Sequence, residues 1–143
     1  MKTNNFDDKN TKYPDLYIHD DILYQFKFDR LKKELKLTFE KYATDKCFEI
    51  KFVNTIGFVM TSCDFWGKSP HINGLAYLSK KEWIIIPKLF ERKNLDPESC
   101  NFLKEPKNYT EVMIEFISGD YLIIACEEIV ADDNYWLLSR IYM

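Results

Sequence analysis

From Ile22 the chain alternates side chains along a period of two. Ile22, Tyr24, Phe26 and Phe28 fall on one face and Leu23, Gln25, Lys27 and Asp29 on the other, the pattern of a strand with one buried side. After a polar loop from Arg30 to Lys33 the period returns, with Leu35, Leu37 and Phe39 set against Glu34, Lys36, Thr38 and Glu40, so the two segments predict a hairpin. A third run places Phe48, Ile50 and Phe52 opposite Glu49 and Lys51, and Ile56, Phe58 and Met60 continue it beyond Asn54. Four sequential strands predict a meander.

The period dissolves between Cys63 and Leu78, where Asp64, Gly67, Pro70, Asn73 and Gly74 are turn-forming residues. Ser79 and Glu82 have capping-box spacing, but Trp83 to Ile86 is a β-favouring run and Pro87 breaks helices, so a strand is expected there. Asp96, Pro97 and Glu98 form a helix start ahead of Cys100, Phe102 and Leu103, which predicts one short helix. Val112, Ile114 and Phe116 then alternate with Glu111, Met113 and Glu115, and Ser118-Gly119-Asp120 turns the chain into a strand from Tyr121 to Ile129. That strand is apolar on both faces, as a central strand covered on both sides would be. Asp132-Asp133-Asn134 breaks the run before a last expected strand from Tyr135 to Met143. The fold class is therefore mainly β, all-β to α+β: an antiparallel sheet or sandwich built from a meander and a C-terminal hairpin, with one short helix.

Length allows one domain with a sizeable core, and 16% aromatic residues against nine Gly and Pro leave no linker-like stretch. Met1 to Lys12 is polar apart from Phe6 and reads as a frayed arm before a single domain from residue 13 to 143, without the apolar run of a signal peptide. The longest apolar runs fall far short of the roughly 18 residues needed to span a bilayer, so no membrane association is expected and the protein reads as cytoplasmic. Cys47, Cys63, Cys100 and Cys126 are widely spaced and read as reduced thiols, and with two histidines and no C-x-x-C pair no metal or cofactor is expected. A formal charge of −3 gives no field that would attract nucleic acid.

Four constellations could carry chemistry. His19-Asp20-Asp21 pairs an imidazole with a carboxylate, although neighbours on a strand point apart and an Asp at a strand entry ordinarily accepts turn amides. Cys63 and His71 could form a nucleophile and base, but proximity in sequence is poor evidence for a dyad assembled by the fold. Trp66, between Phe65 and Gly67, offers an aromatic anchor for a partner, while a Trp that seals an open sheet end is the commoner use. Gly119 to Asn134 carries Asp120, Glu127, Glu128, Asp132 and Asp133 with no Lys or Arg, an acid-only stretch suited to steering a basic partner.

The runs Phe65-Trp66-Gly67-Lys68-Ser69-Pro70-His71-Ile72 and Ser118 to Glu127, with the opening His19-Asp20-Asp21-Ile22, resemble a family of small uncharacterised bacterial proteins associated with immunity proteins of contact-dependent or polymorphic toxin systems. The resemblance runs from about Leu16 onward and rests on turn and strand signatures. It implies a cytoplasmic β-rich protein that neutralises a toxin, and it carries no catalytic residues. The expectation is thus a noncatalytic protein-binding module, an immunity protein whose partner is a basic toxin domain, contacted through Asp120, Glu127, Glu128, Asp132, Asp133 and Trp66. The alternative is a small-molecule-binding or hydrolytic β domain using the loop from Trp66 to Gly74.

Overall fold

The computed structural model describes residues 11–61, 71–95 and 108–142. The fold is mainly β, and the described residues form two four-stranded antiparallel sheets and two α-helices. The first sheet has the order β1-β2-β3-β8, from β1 (Ile22–Asp29), β2 (Glu34–Glu40), β3 (Cys47–Val53) and β8 (Glu128–Ala131). The second has the order β4-β7-β6-β5, from β4 (Gly57–Met60), β5 (Ile72–Tyr77), β6 (Thr110–Phe116) and β7 (Tyr121–Cys126). Every neighbouring pair is antiparallel. The expected meander holds for β1 to β3, whereas β4 leaves for the other sheet after Asn54, whose φ of 51° turns the backbone through the left-handed region.

The first residue of β1 bridges to His71 ahead of β5, and its later Phe26 and Phe28 rings meet Phe58 of β4 at 5.2 and 5.3 Å. Since β5 and β4 are opposite edges of the second sheet, the strands of the first sheet run across those of the second. The main core fills the space between them, with Leu35, Leu37, Phe39, Phe48, Ile50 and Phe52 from one sheet facing Val112, Ile114, Phe116, Leu122, Ile124 and Cys126 from the other.

Strand β1 departs from the expected facing. A bulge between Leu23 and Gln25 lets Leu23 pair with Phe39 and sink to 5% exposure, while Tyr24 stands 69% exposed. One extra residue in the strand moves the inward position from Tyr24 to Leu23, and Phe26 resumes the inner row opposite Leu37.

Three further expectations are corrected. The run Trp83 to Ile86 is not a strand: a 3-10 turn at Lys80–Glu82 leads to α1 (Ile85–Leu95). Pro87 is tolerated because it sits in the first turn, where helix amides lack an intrahelical acceptor in any case. The segment after Asp132 is not a strand but α2 (Asp133–Tyr142), which buries Tyr135, Trp136, Leu138 and Ser139 along one stripe. The run Tyr121 to Ile129 is two strands, for at Glu127 the chain crosses from the second sheet to the first. The helix expected over residues 97–103 lies outside the described residues.

The central position expected for the doubly apolar strand is found in β7, between β4 and β6. Its Leu122, Ile124 and Cys126 enter the main core, and its Ile123 and Ala125 pack under Ile85, Ile86 and Leu89 of α1 in a second core. Gly57 permits that close packing, since a Cβ there would stand 2.8 Å from the Ile85 Cγ2. Residues 12–18 run across one flank: the Lys12 carbonyl accepts the Ile129 N–H at 3.0 Å, the Tyr77 hydroxyl donates to the Pro14 carbonyl, and Leu16 and Ile18 join the main core. Among the described residues no helix is long and apolar enough to cross a membrane.

Candidate functional site

The acid-only stretch folds into separate roles. Asp120 is 8% exposed and closes the β6–β7 turn, its Oδ1 accepting the Thr61 hydroxyl at 2.9 Å and its Oδ2 the Ser118 hydroxyl at 2.7 Å. Six residues of β7 then separate it from Glu127, a span of about 20 Å. Glu127 sits at the crossing between sheets with its carboxylate 3.9 Å from Lys12 Nζ, and Glu128 is half-buried in β8. Asp132 caps α2: its Oδ1 accepts the Tyr135 N–H at 2.8 Å, and its Oδ2 accepts the Glu49 N–H of β3 at 3.0 Å. Burial pushes the Asp132 carboxyl upward from its ordinary range, against the pull of those two N–H donors. Asp133 is exposed in the first turn of α2. Asp120 and Asp132 therefore hold the fold together, and Trp66 lies outside the described residues.

A different set of residues converges where the segment before β1, the turn after β2 and the start of β5 meet. Asp20 has a φ of 68°, a left-handed conformation in which Asp is one of the better tolerated residues. It is held there by its N–H, which donates to the Ile72 carbonyl at 2.7 Å, and by the next amide, Asp21 N–H, which donates to the Ile18 carbonyl at 3.1 Å. This turn undoes the alternation that would part His19 from Asp20, and the His19 Nδ1 lies 3.1 Å from the Asp20 Oδ2. The other histidine arrives from β5, with His71 Nδ1 3.0 Å from the Asp20 carbonyl oxygen. A carbonyl only accepts, so the neutral His71 ring donates from Nδ1 and keeps Nε2 as an acceptor. Both histidines of the chain are thus oriented by one residue.

Beneath them Asp21 is fully buried and Lys41 is 6% exposed. Asp21 Oδ1 accepts the Tyr42 N–H at 2.9 Å, while its Oδ2 stands 3.6 Å from the Lys41 Nζ and among the described residues has no hydrogen-bond partner. Loss of water raises the Asp21 carboxyl above its ordinary range, and the Tyr42 amide and Lys41 ammonium pull it back. The expectation that an Asp at this entry would accept a turn amide holds for Asp21, with the amide supplied by the β2–β3 turn. Above, two aromatic rings face solvent: Tyr17, 47% exposed and stacked on His19 at 6.1 Å, and Tyr42, 56% exposed with its ring 6.4 Å from that of His71. The Tyr17 N–H is tied to the Tyr135 hydroxyl of α2 at 2.8 Å. Sequence reasoning weighed His19, Asp20, Asp21 and His71 but missed Lys41, Tyr42 and Tyr17, which carry no local signal and join the site through the β2–β3 turn and the residues before β1.

The partner proposed for His71 in a dyad, Cys63, lies outside the described residues. Cys126 is buried and free, and burial pushes its thiol up to about 12, as suits a small core side chain. Cys47 is exposed beside a hollow of about 430 Å³ lined by Leu137, Leu138 and Ile141. A second hollow of about 420 Å³ is lined by Tyr13, Trp83, Phe90 and Tyr109, with Lys80 Nζ 6.0 Å from the Trp83 ring. Among the described residues no group of three or more His, Cys, Asp or Glu could hold a metal ion.

No protein-family model matches this chain, and no curated protein does. Among solved structures it is similar to an uncharacterized protein from Neisseria gonorrhoeae, at 20% identity over 80% of this chain and 91% of that one, with a TM-score of 0.44.

Proposed function

We propose that this chain is a noncatalytic protein-binding module, most concretely an immunity protein that occludes the active surface of a basic bacterial toxin in the cytoplasm. The observation that carries this reading is the corner formed by Tyr17, His19, Tyr42 and His71. Two solvent-facing tyrosines, 47% and 56% exposed, stand on a frame whose backbone is fixed by hydrogen bonds from three segments. Tyrosine is enriched among binding hot spots because a rigid ring with a polar tip contributes a large contact at little cost in side-chain entropy. A frame already locked before binding reduces the ordering penalty further. Acids that remain at the surface, Asp20 and Asp133, add charge of the sign that a basic partner selects.

The test is co-purification of the full chain with the product of an adjacent gene. Wild-type protein should retain that product and suppress its toxicity, and Tyr17→Ala with Tyr42→Ala should release it while the urea midpoint stays near wild type. Retention of the partner by the double variant at undiminished affinity would move the interface elsewhere. Failure of any neighbouring product to bind would remove the immunity reading.

A further inference from the structure

Both imidazoles meet at Asp20, and each is anchored through Nδ1, one by the Asp20 carboxylate and the other by its carbonyl oxygen. Among the described residues neither Nε2 has a hydrogen-bond partner. With both rings in their neutral form the corner therefore offers two imidazole acceptors and one half-exposed carboxylate, beside the rings of Tyr17 and Tyr42. Among the described residues the cation recorded beside these groups is Lys41, and its charge is already set against the buried Asp21. Acceptors and aromatic faces together suit a planar donor: the guanidinium of arginine presents five N–H groups and stacks on rings.

We propose that this corner receives an arginine side chain from the partner protein, and that protonation of His19 and His71 closes it. The inference rests on the protein-binding reading and gives that partner its chemistry. Once protonated, each Nε2 becomes a donor carrying positive charge, so an acceptor for arginine turns into a repulsive neighbour. Among the described residues, these groups face the two rings. Asp20 lies between them, its Oδ2 3.1 Å from His19 Nδ1 and its carbonyl oxygen 3.0 Å from His71 Nδ1; Asp21 and Lys41 beneath offset one another; and the phenols of Tyr17 and Tyr42, with Tyr135 holding Tyr17 from α2, bring no positive charge. Asp20 cannot offset two imidazolium charges, so acidification leaves the corner net positive.

The experiment uses the isotopically labelled full chain with N-acetyl-arginine amide as the probe, followed by NMR. At about pH 7.5 the probe should shift the ring resonances of His19, His71, Tyr17 and Tyr42, and at about pH 5.5 its affinity should fall by at least about tenfold. His19→Gln with His71→Gln keeps a neutral acceptor at each position, so this variant should bind the probe equally at both pH values with its spectral dispersion intact. Shifts centred on Glu128 and Asp133 instead, or equal wild-type affinity at both pH values, would overturn the proposal. Binding of the probe at the corner without any toxin partner would spare the inference and remove the immunity reading; a toxin captured without response to pH would do the reverse.

Discussion

Glu111 lies on the face of β6 turned toward α1 and is fully buried; among the described residues its partners are backbone amides at the start of a helix from another part of the chain. Its Oε1 accepts from Ile84 at 2.9 Å and Ile85 at 3.1 Å, and its Oε2 from Ile85 at 3.0 Å and Ile86 at 2.8 Å. α1 has no acid of its own in the first turn, so this carboxylate answers both the orphan amides and the positive end of the helix. Glu111→Gln preserves the shape but keeps only one oxygen and turns an NH2 toward donors. With about 1.5–3 kcal/mol for each hydrogen bond to a charged group, the loss of one such bond and part of another comes to about 3 kcal/mol. For a chain of this size that lowers the melting temperature by about 10 °C, and with a urea slope of about 2 kcal/mol/M it lowers the midpoint by about 1.5 M. Glu111→Ala should cost more, about 4–5 kcal/mol, because the buried amides of Ile85 and Ile86, the part-buried amide of Ile84 and a cavity remain. Urea unfolding followed by tryptophan fluorescence reads the midpoint, and native-state hydrogen exchange should show the Ile85 and Ile86 amides losing protection ahead of those in β2 and β3. An unchanged midpoint for Glu111→Gln with unchanged exchange at Ile85 and Ile86 would refute this account of how α1 is held.

Other expectations follow from the same kind of reasoning. Lys41→Met leaves the Asp21 carboxylate buried without its cation and should cost about 3–5 kcal/mol, whereas Asp21→Asn with Lys41→Met keeps an acceptor for the Tyr42 amide and should recover most of that loss; a double variant no more stable than Lys41→Met alone would contradict the pairing. Because the folded Asp21 carboxyl titrates above the ordinary 3.8, its contribution is fully present below that pH and is lost as pH rises through the folded value. Asp21→Asn should therefore gain on wild type as pH rises from about 4 toward neutrality, and a difference that stays flat would show that the shift is absent. Gly57→Ala drives a Cβ to 2.8 Å from Ile85 Cγ2 and should cost about 1–3 kcal/mol, in part recovered by Ile85→Ala in the same chain; independent, additive effects would mean the two do not touch. Asp132→Ala should cost about 2–4 kcal/mol through the lost cap and the orphaned Glu49 amide, while Asp133→Ala should stay below about 1 kcal/mol; equal melting temperatures for the two would remove the structural role given to Asp132.

The two-residue period of the chain was enough to place β2, β3, β6 and β7 and to set most of their inward rows, because a strand with a buried face must repeat its apolar residues every second position. It was also enough to mark β7 as covered on both sides. Period alone could not count residues across a bulge, so Tyr24 and Leu23 were exchanged in β1. Nor could it decide the two helices: Trp83 to Ile86 and Tyr135 to Met143 are apolar runs rich in residues that favour strands. One became a helix entrance because Glu111, 26 residues away from Ile85, supplies the acceptors for its first amides. The other became a helix because Asp132 bonds both to its first turn and across to β3. The candidate site shows the same division. His19, Asp20, Asp21 and His71 could be singled out as residue types, but their meeting depends on a left-handed Asp20 and on the isolated bridge between Ile22 and His71 that ties the start of β1 to the start of β5. A run of like charges was visible between Gly119 and Asn134, yet the fold spread it over a turn, a sheet crossing and a helix cap, since buried amides without partners draw carboxylates inward. Local pattern determines which side of an element is apolar; which distant polar groups must satisfy one another is settled only when the chain closes on itself, and those pairings placed both the helices and the site.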